Sequence, residues 1–231
     1  MFDPGQVISH MAMSQEEHVH LQKGMNFNLG GTYSVVLMSL RPNAPYADCV
    51  EDDGRVLIYE GHDQPKRRDI RDPKALDQPM RYAGGTLTEN GKFFEAAKKH
   101  KNKSQPPHLV RVYEKMFSGV WVYNGLFKLV DAWIEPSGGR EVFKFRLELT
   151  DEDVASRQLP QKDLDHNRII PSSVKLAVWK RDGGKCTKCG SADNLHFDHI
   201  LPFSKGGTSL LEANIQLLCA RHNLEKHDRI E

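Results

Sequence analysis

Long apolar runs are missing from these 231 residues. No stretch approaches the 18 or more that a membrane-spanning helix needs. The opening MFDPGQVISHMAMSQEEHVHL has no basic patch followed by an apolar core, so it does not read as an export leader. A cytoplasmic location without a membrane partner is therefore expected. Cysteine is scarce: of 4 residues, Cys49 stands alone and Cys186, Cys189 and Cys219 fall toward the carboxyl end. An odd trio in a cytosolic chain argues against disulfides. Excess charge of one sign is also lacking, because the formal net charge is +1. Global electrostatics thus neither demand nor exclude a polyanionic partner. Helical periodicity is sparse, and no internal repeat is present.

What is present suffices for a folded protein, with 39% hydrophobic and 27% charged residues. The length exceeds one average domain and points to two unequal ones. Local charge is uneven. Residues 65–103 carry 11 Lys or Arg against 5 Asp or Glu, and residues 148–165 carry 6 acidic against 2 basic. Such runs commonly form solvated faces, so the basic stretch acquires a binding meaning only from its neighbours.

Residues 32–40, 55–59, 109–113, 119–134 and 141–149 are rich in β-branched and aromatic side chains and predict strands. Asn124 and Gly125 interrupt the longest of them and predict a tight turn or bulge. The stretch ENGKFFEAAKKH, from near Asn90, is the clearest helix in this part. Residues 1–150 thus read as a mainly β domain. Residues 151–170 are acidic, polar and proline-interrupted, and read as a linker. SSVKLAVWKRDGG then predicts a helix with a serine cap at its start and glycine at its end, opening a small module over 171–231.

In that module CTKCG places Cys186 and Cys189 with two residues between them, and CARH repeats the spacing with Cys219 and His222. Two such pairs can supply a closed tetrahedral Zn²⁺ site. About 60 residues bury little core, so a metal staple has a physical purpose. A zinc ribbon that merely binds DNA accounts for these four ligands. It gives no reason for the second set between them, in NLHFDHILPFSKGGTSLLEANIQLLCARHNLEK.

The Asp-His-Ile step, the Pro and Gly-Gly loop, the middle Asn, the LLC and the closing His-Asn with Lys together resemble the HNH, or ββα-metal, nuclease family. The family commonly ends its zinc set with Cys; His222 holds that place here. The resemblance implies His199 as the general base, a role suited to a neutral imidazole. It implies Asp198 and Asn223 as oxygen ligands of a catalytic Mg²⁺ or Mn²⁺, and Asn214 as the residue that holds the loop and orients His199. Lys205, Arg221 and Lys226 are candidate phosphate contacts. In an extended strand Asp198 and His199 face opposite ways, so both can serve one phosphate only if the strand ends or twists there. His196 lies on the Asp198 side, either as an extra ligand or as a structural or substrate-facing histidine.

Ahead of the module, LGGTYSVVL, PYADCVEDDGRVLIYEGHD, LTENGKFF, VRVYEKMF and VYNGLFKLVDAW resemble successive blocks of the SRA domain, also called YDG. Its name motif stands here as Tyr123, Asn124 and Gly125, with Asn in place of the acidic residue. SRA domains read 5-methylcytosine or 5-hydroxymethylcytosine in double-stranded DNA by rotating the base into a pocket. Such a pocket needs stacking planes and an acceptor for the exocyclic amine. Tyr46 and Tyr59 match the stacking positions. One extra residue separates them, so the acceptor matches less cleanly: Asp48 is the choice, with the backbone around Glu60 assisting, and Cys49 occupies the competing alignment. The segments 66–81 and 98–103 would contact phosphates.

Together the resemblances imply an α+β protein: a mainly β, PUA-like SRA barrel followed by a zinc-stapled ββα-metal HNH domain. They imply a modification-dependent endonuclease. A nuclease of different specificity, or a reader with an inactive nuclease module, are the alternatives. One HNH site attacks one phosphodiester, so a homodimer is expected. Ile169, Ile170, Val174, Val178 and Trp179 are candidates either for that contact or for packing within the chain.

Overall fold

The computed structural model describes residues 2–29, 31–68, 70–150, 168–202 and 205–226. Ten strands lie among them: β1 (Val7–Ser9), β2 (Met25–Leu29), β3 (Tyr33–Met38), β4 (Cys49–Glu51), β5 (Val56–Glu60), β6 (His108–Phe117), β7 (Val120–Ser137), β8 (Arg140–Leu149), β9 (Leu195–His199) and β10 (Ile215–Cys219). Four α-helices accompany them: α1 (His10–Glu16), α2 (Glu89–Lys101), α3 (Ser172–Arg181) and α4 (Ala220–Lys226).

The larger sheet runs β2-β3-β6-β7-β8-β5-β4, with β1 paired to the far end of β7. Only the β3–β6 pair in it is parallel. Its buried face carries Met25, Val36, Leu57, Val110, Val112, Phe127, Phe143 and Phe145, and α2 covers this face with Phe93 and Ala97. Thr88 caps α2 by accepting the Gly91 N–H, and Lys98, Lys99, His100 and Lys101 close its last turn, where cations suit the helix dipole. Asn124 and Gly125 form a bulge: the register with β6 slips between Val112↔Gly125 and Tyr113↔Tyr123, and Gly125 has φ +108°.

β9 and β10 form an antiparallel hairpin that α4 follows directly, with α3 packed against β10. The serine at the head of α3 is no cap. Pro171 takes the N-cap position without a side-chain bond, and Ser172 instead donates its hydroxyl to Glu114 in β6. The hydrogen bond to a buried carboxylate has displaced the local one.

The N-terminal segment joins the two parts. Gly5 N donates to Tyr123 O at 2.8 Å, Tyr123 N to Gln6 O at 3.0 Å, and Phe197 N to Gly5 O at 3.0 Å. Gln6 also bridges His196. Residues 5 and 6 thus lie as a strip of backbone between β7 and β9. Gly5 has φ +83°, and a Cβ there would stand 2.7 Å from Phe197 O, so a side chain would force the strip apart.

Of the expected linker, residues 151–167 lie outside the described residues. Its last three are packed: Arg168 pairs with Asp53 at 3.1 Å, Ile169 N donates to Gly54 O, and Ile169 and Ile170 enter two different cores. The apolar residues named for a subunit contact are consumed inside the chain. Ile169, Ile170, Val174 and Val178 are buried, and Trp179 packs against Phe117 and Phe197. Of the two alternatives for these residues, packing within the chain is the one observed among the described residues. No helix among the described residues is long and apolar enough to cross a membrane.

Candidate active site and base pocket

Cys186, Cys189, Cys219 and His222 converge because the first pair sits on the turn before the β9–β10 hairpin and the second at its exit into α4. Their ligand atoms all lie within 4.8 Å of one another. Cys189 Sγ stands 3.8 Å from Cys219 Sγ, and His222 Nδ1 stands 3.4 Å from the sulfurs of Cys186 and Cys219. A tetrahedral zinc with bonds of about 2.3 Å to sulfur and about 2.0 Å to nitrogen requires ligand separations of roughly 3.5–3.8 Å. The residues present fit Zn²⁺. Burial opposes ionisation of Cys186. Backbone N–H groups of Cys219, Cys189 and Lys188 and the His222 side chain outweigh it and draw the thiol down to about 6. A thiolate is the form a metal takes.

His199 ends β9, buried, with Nε2 2.8 Å from Ser209 Oγ. Asn214 bonds to the loop that follows β9. Its carboxamide accepts the Leu201 N–H and donates to Leu201 O and Thr208 O, fastening the loop from Leu201 to Thr208. Ser209, within hydrogen-bond distance of the imidazole, was missed by sequence reasoning; a loop serine gives no periodic signal. Gly207 permits the fastening, since a Cβ there would meet Leu201 O at 1.8 Å.

Asp198 accepts from Lys226 Nζ at 2.7 Å and from Gln216 Nε2 at 3.3 Å. Lys226 also donates to His199 O and is only 1% exposed. It is therefore no phosphate contact: its charge is spent inside the module. Its spacing carried a usable signal, since Lys226 lies four residues after His222 and three after Asn223, on the same helix face. Asp198 and Asn223 offer oxygen donors only, a set suited to a hard divalent cation completed by substrate phosphate and water. Arg221 is exposed, with its guanidinium 3.8 Å from Glu225.

In the larger domain, Tyr46 is half-buried and stacks on His62, with ring centroids 4.5 Å apart and planes 8° from parallel. Lys74 Nζ covers Tyr46 at 4.1 Å from the ring centroid. Tyr59 is 1% exposed, and its hydroxyl contacts Gly24 O at 3.0 Å and His62 Nε2 at 2.8 Å. A base can therefore reach the Tyr59 ring only after His62 or its surroundings move. Asp48 accepts the N–H groups of Glu60 at 2.9 Å and Ser39 at 3.2 Å. Burial lifts its carboxyl to about 7 against those bonds, and burial lowers His62 to about 4. The Glu60 side chain accepts from Ala47 N at 3.1 Å and Lys144 Nζ at 3.0 Å, with Arg140 at 3.7 Å. Glu60 thus braces the corner from within, and its N–H is already given to Asp48. Cys49 is exposed. His62, Lys144 and Arg140 were not singled out by sequence. Around them Lys66, Arg67, Arg68 and Arg71 are exposed, as are Lys99 and Lys103 near the end of α2.

A mainly β domain bearing a tyrosine-lined corner, joined to a zinc-fitted ββα module, has recognisable relatives. The SAD/SRA domain family matches residues 7–153, and the HNH endonuclease family matches residues 186–229. The chain belongs to the SAD/SRA domain family. No curated protein matches it. Among solved structures it is similar to the SUVH5 SRA domain in complex with hemimethylated CG DNA, with 24% identity over 65% of this chain and 86% of that one and a TM-score of 0.42. The SUVH5 SRA domain bound to fully hydroxymethylated CG DNA gives 24% identity, 65% and 87% coverage and a TM-score of 0.43. KRYPTONITE in complex with mCHH DNA, an H3(1-15) peptide and SAH gives 16% identity over 71% of this chain and 34% of that one, with a TM-score of 0.44.

Proposed function

We propose that the protein is a modification-dependent DNA endonuclease, in which the SRA domain reads 5-methylcytosine or 5-hydroxymethylcytosine in a duplex and the HNH module hydrolyses a nearby phosphodiester bond. The observation that carries this reading is the convergence of Asp198, His199 and the Asn214-fastened loop on one hairpin that also carries the zinc-fitted set, in a chain whose other domain is SRA.

His199, whose Nε2 lies 2.8 Å from Ser209 Oγ, acts in its neutral form as the base that takes a proton from the attacking water. Asp198 and Asn223 would hold Mg²⁺ or Mn²⁺, which when bound offsets the charge growing on the phosphate. Lys226 fixes the Asp198 carboxylate and the backbone end of the strand, so metal ligand and base both sit where β9 stops. Zn²⁺ on Cys186, Cys189, Cys219 and His222 is structural. In the reader, Tyr46 and Tyr59 supply stacking planes and Asp48, beside Glu60, the acceptor. A homodimer places one such centre on each strand.

Incubating methylated and unmodified plasmid with the protein and Mn²⁺ or Mg²⁺ tests this. Cleavage confined to the methylated plasmid is expected. Equal cleavage of both plasmids, or of neither, overturns the reading.

A further inference from the structure

We propose that Lys175 and Asn124 are positioning residues that lock the nuclease module onto the SRA domain, so that the cut falls at a fixed offset from the base being read. This rests on the function proposed above and deepens it.

Lys175 belongs to α3 of the nuclease module yet is 1% exposed, because its side chain enters the SRA domain. Its ammonium lies 2.6 Å from Glu114 Oε2 and 2.7 Å from Asn124 Oδ1. Asn124 uses its other end as well, with Nδ2 donating to Glu114 Oε2 at 3.0 Å. Ser172, also of α3, donates to the second Glu114 oxygen. One buried cation thus meets one buried anion, and a neutral amide ties the two.

This accounts for the departure in the Tyr123-Asn124-Gly125 motif. An aspartate at 124 could accept from Lys175, but it could not donate to Glu114. It would set a second carboxylate about 3 Å from the first in a buried site, where like charges are strongly disfavoured. The Asn is therefore matched to Lys175, a residue of the other domain.

Two further kinds of bond reinforce the joint. Gly5 O accepts the Phe197 N–H while Gly5 N donates to Tyr123 O, so backbone pairing passes from β7 through residue 5 into β9. Met116 and Val122 of the SRA sheet share one apolar core with Val174, Val178, Phe197 and Leu217 of the module. Apolar contact alone tolerates sliding, but a satisfied buried polar network and a backbone ladder accept only one register.

Successive phosphates of one strand are about 3.4 Å apart along the duplex axis. A joint rigid to an ångström or two therefore selects a single phosphate per strand. A freely tethered module would sample tens of ångströms and cut at many.

The experiment maps cuts at nucleotide resolution on an end-labelled duplex with one modified cytosine, using the full chain with Mn²⁺. The wild type is expected to place most cuts at one phosphate of each strand. Lys175→Met and Asn124→Asp are expected to retain binding to the modified duplex while lowering the share at that position at least about threefold and spreading cuts to neighbours. Should either fold poorly, the charge-neutral pair Lys175→Met with Glu114→Gln takes its place with the same expectation. A wild-type ladder without a preferred offset, or folded variants that cut with the wild-type pattern, overturns the proposal. If the wild type cuts no modified DNA, the functional reading fails, and calorimetry still decides the lock. One cooperative transition in the wild type that splits in two in Lys175→Met sustains it, and two wild-type transitions overturn it.

Discussion

Lys226 Nζ stands 2.7 Å from Asp198 Oδ2, so the carboxylate proposed to hold the catalytic cation already carries a buried counter-charge. Removing one partner of a buried pair strands the other, at about 3–5 kcal/mol. Lys226→Met is expected to destabilise the module by that order and to release the end of β9 near His199. Denaturant unfolding measures the loss. A stability change below about 1 kcal/mol would show the pair to be incidental.

Metal content is the second expectation. Ligands brought together only by folding couple zinc binding to stability. Elemental analysis of protein prepared without added zinc should find about one equivalent per chain. Cys189→Ser should lose it and lower the unfolding temperature. A folded and active module without zinc contradicts the assignment.

His199→Ala should reduce cleavage by about 10²-fold or more while leaving affinity for modified DNA nearly unchanged, since a general base acts in the chemical step. Equal losses in both measurements would place His199 in binding instead.

In the reader, the two tyrosines should behave differently. Tyr46 is half-buried, and Tyr46→Ala should weaken binding of modified duplex by about 1–3 kcal/mol through lost stacking. Tyr59→Phe removes an interior hydroxyl bonded to Gly24 and His62, and should cost about 1 kcal/mol of stability. Fluorescence titration and denaturant unfolding separate the two effects. An unchanged Tyr46→Ala titration would remove Tyr46 from the pocket.

Asp48 and His62 should drive opposite pH dependences. Burial raises Asp48 from 3.8 to about 7 and lowers His62 from 6.5 to about 4. Folded Asp48 keeps a proton that the unfolded chain loses, so its contribution is complete below about 4 and is lost as pH rises toward 7. Folded His62 refuses a proton that the unfolded chain accepts, so its contribution is present above 6.5 and is lost as pH falls toward 4. Each slope reaches at most about 1.4 kcal/mol per pH unit, and in the wild type the two offset. His62→Gln should expose stability that falls from pH 4 to 6.5, and Asp48→Asn stability that rises over the same window. Unfolding across that window checks both signs. Single variants whose profiles match the wild type contradict the linkage.

Local chemistry made much of this legible. The strands from Tyr33, Val56, His108, Val120 and Arg140 follow alternating or β-branched runs, and the paired Cys and Cys-His spacings mark a metal set from sequence alone. What escaped depends on partners distant in the chain. β1 has only three residues, defined by Val120–Val122 and continued by β9. Ser172 looks like a cap until Glu114 is placed beside it. Lys175 and Lys226 have the residue type of a solvated surface, and only the carboxylates opposite them, in β6 and β9, explain their burial. Tyr59 follows the same rule: its position matched, but its depth depended on Gly24 and His62.

The strip of backbone between β7 and β9 also sets an order of events. Gly5 and Phe197 bond across 197 − 5 = 192 positions. At about 5–20 residues per second of synthesis, Gly5 waits roughly 10–40 s for its partner. Through that interval the SRA strands can pair among themselves, because the match between β7 and residues 5–9 needs nothing beyond Tyr123. The edge that will receive β9 stays open meanwhile, and the carboxylate of Glu114 has no Lys175 to meet. The SRA half can thus fold before the HNH half exists, and the stretch that closes the molecule is made after it.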